Sequence, residues 1–419
     1  MMRIVILLSC LSAAISNAMA EDWPQFRGPT GQGLSGATGL PIEWSETENI
    51  AWKVAIPGLG WSSPVIKGGH VFLTTAVPVD EGHELRTLCL DARSGETVWD
   101  VKVFDQPGGE SIEKHAKNSH ASPTPVIEGD RIYVHFGPHG TACLNINDGQ
   151  PVWKNHEIEY APNHGNGSSP VLAGDMIVIP CDGRDEQFVL GLTKATGNIV
   201  WRTERDVKPE KGFSFCTPLV IDVGGRQQAI CPGSGAVFAY DPQTGSEIWR
   251  VTYGEGFSVV PRPVYGNGLL YVCTGFGDGR LLAIDPSGTG DITDTHVKWT
   301  MKKGVPRSSS LLLVGNELFT ADDVGIATCV DALTGETHWQ KRLGGNYSAS
   351  PLYTNGLIYF QAEGGSTTVI RASTEFEEVA QNALSEEERT FASFAVHEGA
   401  LLLRSEGHLY RIQATNPSS

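Results

Sequence analysis

The sequence has no long helical pattern and no excess of basic residues. Lysine and arginine number 31 against 48 aspartates and glutamates, which makes the formal net charge −17. Binding to nucleic acid or to an anionic membrane surface depends on lysine and arginine, so the charge disfavours both kinds of partner. Glycine (49) and proline (24) are abundant among the 419 residues, which favours many short strands joined by turns.

Long apolar runs are missing beyond the N-terminus, where the sequence has the pattern of an export signal. Arg3 is the only charge before residue 21, an apolar run follows, and Ala18-Met19-Ala20 forms a small-x-small cleavage site. We therefore expect residues 1–20 to be a signal peptide cleaved after Ala20, which leaves an exported protein, periplasmic or secreted, without a transmembrane segment. Cleavage as a lipoprotein at Cys10 is the second interpretation, because the apolar run before Cys10 would be very short.

Signatures of catalytic and metal sites are missing too. The chain has no nucleophile elbow, no phosphate-binding glycine loop and no zinc signature. The acidic stretches 181–186 and 322–323 contain oxygen ligands suitable for Ca²⁺, but surface turns favour the same residues, and we prefer that interpretation. The sequence therefore predicts no catalytic residue and no metal ligand.

The cysteines allow few disulfides. Seven remain beyond Cys10, so at least one is unpaired. Cys216 and Cys231 flank a turn between two successive predicted strands and could face each other. Seven buried thiols would explain the cysteines equally well.

A segment that ends in tryptophan returns throughout the chain. "AYDPQTGSEIW" (239–249) and "CVDALTGETHW" (329–339) are two of its copies. A second marker, of the type "SSPV", begins each unit and occurs eight times, the last in the weaker form "ASFAV" (392–396). The repeated tryptophans lie 40 to 54 residues apart, at Trp52, Trp99, Trp153, Trp201, Trp249, Trp299 and Trp339.

Each unit predicts four strands. The "SSPV" marker starts the first strand, a glycine turn leads to the second, and a Thr-Gly turn separates the third from the fourth, which carries the tryptophan. Units of this length that repeat radially are typical of a β-propeller. We therefore predict an all-β fold, an eight-bladed β-propeller of four-stranded antiparallel blades. Seven blades is the alternative if the last unit packs differently.

The two ends of the repeat region each hold part of a blade. The last unit lacks a fourth strand, whereas residues 49–56 form a fourth strand that has no blade before it. We expect residues 49–56 to pair with 408–412, so that the N-terminal strand closes the last blade and leaves no exposed edge there. The predicted divisions are a signal peptide (1–20), an irregular N-terminal wrap (21–48) and the propeller (49–415).

The seven repeated tryptophans are predicted to be structural docking residues. A blade cannot cover both of its own faces, so its neighbours must do so, and a large flat indole suits the seam between blades. Trp52 would be buried at the seam that closes the ring. We therefore expect Trp52→Ala to destabilise the protein more than Trp23→Ala, which changes the irregular wrap.

The repeats resemble the propeller blades of pyrroloquinoline quinone (PQQ) enzymes, whose signature is roughly A-x-D-x-x-T-G-x-x-x-W. "AYDPQTGSEIW" has every fixed position and "CVDALTGETHW" all but the first, whereas "CLNINDGQPVW" has Asn145 for the Asp and Asp148 for the Thr. The resemblance covers nearly the whole mature chain. Within the family, size and export signal are most similar to the outer-membrane protein assembly factor BamB and to uncharacterised exported PQQ-like repeat proteins.

The resemblance implies a fold and leaves the chemistry open. PQQ dehydrogenases use adjacent cysteines, a stacking tryptophan, a Ca²⁺ ion bound by Glu, Asn or Asp, and a catalytic Asp. This chain has no adjacent cysteines, and the seams leave Trp23, Trp44 and Trp61 as the unassigned tryptophans. We therefore expect a protein that is not an enzyme and has no cofactor, with PQQ and calcium as the disfavoured alternative.

A binding site is expected where the blades converge. The residues just before each innermost strand meet at the axial mouth of a propeller, and a concave mouth with apolar walls is a usual binding site. The same bulky residues would also serve to plug the channel, and the sequence does not separate the two roles. The candidate ligand-binding residues are Trp61, His120, Asn166, Phe213, Phe257, Arg307, Tyr347 and Phe391.

Two functional hypotheses follow. In the first, the protein is an exported non-catalytic binding or scaffold propeller, similar to BamB. Its mouth and blade-edge loops would dock proteins or peptides of the cell envelope, and it would act as a monomer or as part of a larger assembly. In the second, it is a divergent PQQ-dependent quinoprotein dehydrogenase that oxidises an alcohol or a sugar. Neither hypothesis has nucleic acid as a partner.

Overall fold

The protein folds into eight β-sheets arranged around a central axis. The structure is a computed structural model that describes residues 22–108, 114–384 and 388–414, so the predicted signal peptide and Cys10 lie outside the described residues. Each sheet has four antiparallel strands, and two sheets carry a short fifth strand that pairs in parallel. The prediction of an all-β, eight-bladed β-propeller is confirmed.

The strands of each blade follow one another from the channel outward. In blade 1 they are Val65–Lys67, His70–Val79, Gly82–Asp91 and Thr97–Pro107; in blade 2, Val126–Glu128, Arg131–His135, Thr141–Asn145 and Pro151–Asn155; in blade 3, Val171–Ala173, Met176–Asp182, Gln187–Thr193 and Ile199–Glu204; in blade 4, Leu219–Val223, Arg226–Pro232, Ala236–Tyr240 and Glu247–Thr252.

The remaining blades have the same order. In blade 5 the strands are Val264–Gly266, Leu269–Cys273, Leu281–Ile284 and Val297–Met301; in blade 6, Leu312–Val314, Glu317–Ala321, Ile326–Asp331 and Thr337–Arg342; in blade 7, Leu352–Thr354, Leu357–Gln361, Ser366–Arg371 and Glu378–Ala383; in blade 8, Ala395–His397, Ala400–Arg404, His408–Gln413 and Ile50–Ala55. Among the described residues, helix is confined to a 3₁₀ turn at Gly137–His139 and an α-helical turn at Thr293–His296.

The indoles of the repeated tryptophans pack on the neighbouring blade. Most of their Nε1–H groups donate to a backbone carbonyl in the turn before the next blade's outermost strand, at 2.9–3.1 Å. The glycine of that turn lies under the ring, since a Cβ on Gly197 would come within 2.4 Å of Trp153. The Thr-Gly turn and the tryptophan therefore recur together because each repeat supplies the glycine that the preceding repeat's indole requires.

Trp249 makes a different seam. The connection between the last two strands of blade 5 contains an extra strand, Gly290–Asp291, which pairs in parallel with the outer edge of blade 4. Trp249 is consequently fully buried, and its indole donates to Gln228 Oε1 within its own blade at 2.8 Å.

The ring closes through the N-terminal strand, as predicted. Residues Ile50–Ala55 pair antiparallel with His408–Gln413 and complete blade 8. Trp52 packs against Gly95 of blade 1, but its indole N–H has no partner among the described residues. Arg411 donates instead to the carbonyl of Ala92 at 2.9 Å, the position that accepts an indole N–H at other seams.

The segment 22–49 crosses the end of the channel opposite the mouth. Trp23 exchanges two backbone hydrogen bonds with Ile66 of blade 1, at 2.8 and 2.9 Å, and Pro24 accepts one from Ile127 of blade 2. The two-residue strand Leu34–Ser35 pairs with the innermost strand of blade 7. The segment therefore supplies hydrogen-bond partners to strands that would otherwise be edges of their sheets.

Trp52 is half-buried at the closing seam, as Trp99 is at its own, but Trp23 is buried more deeply than we expected. Trp23 is 1% exposed and belongs to the apolar cluster shared by blades 7, 8 and 1, whereas Trp52 is only partly buried. The expectation that the wrap contributes less to stability overlooked these contacts, because the segment lacks the periodicity that marks a buried strand.

All seven cysteines of the described residues are buried free thiols, and Cys216 and Cys231 are not bonded to each other. No helix among the described residues combines the length and the apolar character needed to cross a membrane.

A buried histidine in blade 2 predicts loss of stability in acid. His135 is 1% exposed, its Nδ1 contacts Thr141 Oγ1 at 2.8 Å, and burial lowers its pKa from 6.5 to about 3. Between these two values the unfolded chain is protonated and the folded protein is not, so stability falls as pH decreases through this window.

Between pH 6.5 and 4.5, His135 should contribute about 1.4 kcal/mol per pH unit to the fall in unfolding free energy. We therefore expect His135→Gln to show a pH slope that is smaller than that of the unmodified protein by this amount. Urea titrations at several pH values measure this. His338→Gln, at an exposed position, is the control. Equal pH slopes for the protein and His135→Gln would exclude this origin of acid sensitivity.

Candidate functional site

The mouth of the propeller is built by two sets of loops. Because antiparallel strands alternate in direction, the connections that enter each innermost strand lie at the same end as the loops between second and third strands. The Thr-Gly turns lie at the opposite end, where the segment 22–49 crosses the channel. Side chains from as many as eight blades therefore converge at the mouth.

A ring of hydroxyl groups links the blades below the mouth. The backbone N–H of one blade donates to the Ser or Thr hydroxyl of the next, and seven such bonds of 2.9–3.3 Å are present. Blade 5 carries Arg262 at this position, so the bond from blade 4 to blade 5 is missing. The hydroxyl residues of the ring are Ser63, Thr124, Ser169, Thr217, Ser310, Ser350 and Ser393.

Above this ring lies a cavity of about 540 Å³. The seven hydroxyl residues line its lower part, and Phe26 of the N-terminal segment reaches it from the closed end of the channel. Its walls are largely aromatic, from Trp61, Phe213, Phe215, Phe257, Phe276 and Phe391. The cavity is open toward the mouth and has a size common for binding sites.

The structure brings five of the eight predicted mouth residues together. The five that line the cavity are Trp61, Phe213, Phe257, Arg307 and Phe391. Trp61 and Phe391 meet edge to face, with ring centroids 4.7 Å apart, and Phe213 and Phe257 do so at 5.8 Å. Whether these residues bind a ligand stays a prediction.

The other three predicted residues lie outside the cavity lining. Tyr347 is 1% exposed and belongs to an apolar cluster shared by blades 6 and 7. Asn166 accepts a hydrogen bond from Tyr160 at 2.9 Å. The ring of His120 lies against that of His83, with centroids 4.7 Å apart and planes tilted by 46°, and burial together with nearby cations lowers the pKa of His120 to about 4.

Cationic side chains lie over the aromatic walls. Arg389 is 5.8 Å from the ring centroid of Trp61 and 5.7 Å from that of Phe391, and Arg307 is 5.3 Å from that of Phe276. Lys211 Nζ lies 4.4 Å above Phe257. Such contacts hold the cations at the mouth, where they face an incoming ligand.

The acidic stretches that could suit calcium are occupied by other contacts. Asp182 forms a buried ion pair with Arg205, and Asp322 accepts turn N–H groups from Val324 and Ile326. No cluster of three or more His, Cys, Asp or Glu side chains placed to bind a metal is found in the part of the chain that the structure describes.

Sequence reasoning missed Phe26 and the hydroxyl ring. The ring had a signal, because its Ser or Thr is the last residue before proline in markers such as "SSP" (62–64) and "CTP" (216–218). We interpreted that marker only as the start of a strand. Phe26 had no signal, since the segment around it has no periodicity.

The sequence comparisons point to one family. A family model described as "Outer membrane protein assembly factor BamB" matches residues 84–303 and 290–415. Tetrathionate hydrolase from Acidithiobacillus ferrooxidans is 21% identical over 75% of this chain and 65% of its own length. BamB from Nitrosomonas eutropha is 30% identical over 26% of this chain and 25% of its own length. Methanol dehydrogenase subunit 1 from Methylobacterium organophilum is 26% identical over 33% of this chain and 24% of its own length. The chain thus spans less than two thirds of these relatives' lengths.

Solved structures share the fold. A europium-containing methanol dehydrogenase superposes with a TM-score of 0.64 at 12% identity, over 93% of this chain and 90% of its own. BamB from Moraxella catarrhalis superposes with a TM-score of 0.57 at 12% identity, over 86% and 99%. At this identity the likeness concerns the fold alone. The family model, by contrast, covers well over half of the sequence. The chain therefore belongs to the family of PQQ-like repeat β-propellers whose model carries the description of BamB.

Proposed function

We propose that the protein is an exported, non-catalytic binding propeller that docks extended segments of envelope proteins at its mouth, in the manner of a scaffold. The observation that carries this proposal is the open cavity on the propeller axis, with aromatic walls, a hydroxyl ring below and cations at its rim. This arrangement offers apolar contact area, hydrogen bonds and charge for binding. Its lining includes the imidazoles of His115 and His164, whose ring centroids lie 5.8 Å apart, and no cysteine is among the lining residues described.

The chemistry of the mouth indicates which segments it would accept. Lys211 and Arg307 form no ion pair with a carboxylate among the described residues and lie over Phe257 and Phe276. A segment that carries aromatic and acidic side chains would stack on these partly buried rings and meet the two cations. The negative net charge of the whole chain would meanwhile repel acidic segments elsewhere on the surface.

The residues present do not fit the calcium ion that accompanies PQQ in the quinoprotein dehydrogenases. Ca²⁺ requires six to eight oxygen ligands, and Asp323 is the one carboxylate among the described lining residues. Its Oδ2 accepts the backbone N–H of Arg307 at 2.8 Å and its Oδ1 accepts the Ser308 hydroxyl at 2.7 Å. Asp323 thus braces the loop before blade 6, and we derive no redox step from this site.

The second candidate function, a quinoprotein dehydrogenase, is favoured by the aromatic walls and the rim cations, which would suit a planar ligand with several carboxylates. Purified protein incubated with PQQ and Ca²⁺ is the test. We expect neither quinone absorbance on the protein after gel filtration nor reduction of an artificial electron acceptor with alcohols or sugars. Both signals together would replace the binding function with the enzymatic one.

Site-specific photocrosslinking in cells tests the proposed docking. A photoreactive phenylalanine analogue at Phe257 samples the mouth, and one at Leu333, which is 47% exposed in a Thr-Gly turn, samples the opposite end. We expect envelope proteins to crosslink at position 257 and not at 333, and Arg307→Glu to reduce the yield at 257 at least severalfold. Equal yields at both positions, or none at 257, would refute docking at the mouth.

A further inference from the structure

Two arginines occupy the closed end of the channel, on the far side of Phe26 from the mouth cavity. Arg27 comes from the N-terminal segment and Arg262 from the start of blade 5, and each is 2% exposed. Arg27 donates to the carbonyl of Leu311 at 2.6 Å, and Arg262 donates to those of Phe26 and Pro218 at 2.6 and 2.9 Å. These bonds satisfy dipoles but provide no negative charge.

The two guanidinium groups lack a counter-charge. Neither forms an ion pair with any carboxylate that the structure describes, and the Nε and Nη1 atoms of Arg27 are buried without a hydrogen-bond partner there. Burial, followed by the charge of Arg262, lowers the pKa of Arg27 to about 9. Arginine still keeps its proton at neutral pH, and an unpaired buried cation is strongly unfavourable.

The backbone around these arginines is built to hold them in place. Arg27 has a φ of +66°, a left-handed conformation that costs energy for a residue with a side chain. A Cβ on Gly31 would lie 2.4 Å from Arg262 Nη1, and a Cβ on Gly33 would lie 2.7 Å from Arg27 Nη2. The loop therefore closes directly over both guanidinium groups and separates them from solvent.

The sequence of the ring also singles out this place. Seven blades have Ser or Thr at the position where blade 5 has Arg262. Because Arg262 has no hydroxyl, the ring lacks the hydrogen bond from blade 4 to blade 5. Arg404, another buried arginine, also has two nitrogens without a partner among the described residues, but no second cation lies beside it. Within the described ranges, two neighbouring buried arginines without a carboxylate partner occur at the closed end of the channel.

We propose that a small inorganic anion of halide size binds between Arg27 and Arg262 and is part of the folded protein. Such an anion accepts hydrogen bonds from the free Nε and Nη1 groups of Arg27 and compensates both charges at once. The sealed position favours a small ion over an organic ligand, and Phe26 separates it from any ligand at the mouth. This site is independent of the proposed docking function.

Bromide, which scatters X-rays anomalously, is the probe. Crystals of the protein grown or soaked in sodium bromide should show an anomalous peak within contact distance of Arg27 Nε or Nη1. The same crystals of Arg27→Met should lack it. Water at this position in bromide-soaked crystals of the unmodified protein would overturn the proposal, as would a peak that persists unchanged in Arg27→Met.

Thermal unfolding provides a readout that needs no crystals. At constant ionic strength, with gluconate as the bulky replacement anion, raising chloride from 1 to 100 mM should raise Tm by about 2–4 °C. Arg27→Met should lose this dependence, whereas Arg93→Met, at a side chain that is 75% exposed, should keep it. A chloride dependence that is equal in all three proteins, or absent from the unmodified protein, would contradict a bound anion.

Discussion

Replacing Trp23 with alanine is expected to destabilise the protein more than replacing any seam tryptophan that is partly exposed. The indole of Trp23 is 1% exposed, and Gly28 folds back so closely that a Cβ there would lie 2.7 Å from the ring. Truncation of a buried tryptophan costs about 3–5 kcal/mol, a large part of a total stability of about 5–15 kcal/mol. The cavity would also free the segment that holds Phe26 in the channel.

Urea denaturation followed by circular dichroism measures this effect, with Trp52→Ala as the matched control. Trp52 is partly exposed and its indole N–H has no partner among the described residues, so its loss should cost distinctly less. A larger effect for Trp52→Ala would mean that the closing seam limits stability and that the N-terminal segment is only loosely attached.

Replacing Asp182 with alanine should have an effect of similar size for an electrostatic reason. Asp182 Oδ1 and Oδ2 accept from Arg205 Nε and Nη2 at 2.6 and 2.9 Å, and both side chains are 1% exposed. Arg205 also donates to the carbonyl of Cys231 at 2.8 Å, which links blade 3 to blade 4. Removing the carboxylate leaves a buried cation without compensation, which typically costs about 3–5 kcal/mol.

Two controls separate charge from packing in this prediction. The double variant Asp182→Leu/Arg205→Met should recover most of the loss, because well-packed apolar residues replace buried ion pairs at little cost. Glu398→Ala breaks the solvent-accessible pair with Arg93 and should destabilise the protein far less than Asp182→Ala, because water screens an exposed ion pair. A double variant as unstable as Asp182→Ala would show that shape, and not charge, determines the effect.

The parts of the fold that repeat were predictable from sequence. The Trp99 and Trp153 repeats each show the turn glycine, the tryptophan and the strand alternation, so the blade count and the pairing of 49–56 with 408–412 followed from the repeat. The contacts of Arg27 with Leu311 were not predictable, because they join residues 284 positions apart through a segment that has no period.

The mouth was predictable only in part for a related reason. Counting back from each innermost strand gave Phe213 and Phe257 correctly as cavity-lining residues. It failed for Tyr347, whose backbone forms a bridge with Ala362 and whose ring turns into the apolar cluster between blades. Side chains alternate between channel and seam along an extended chain, so an error of one residue exchanges the two environments.

The closure of blade 8 sets the order in which the protein can be completed during synthesis. About 350 residues separate Ala55 from its partner His408, and chains elongate at about 5–20 residues per second. The strand at 50–55 therefore waits on the order of tens of seconds for its pair. The strand pairing that completes the last blade joins residues very far apart in sequence. The loop-closure entropy of such a pairing is large, which places this step late on the folding pathway.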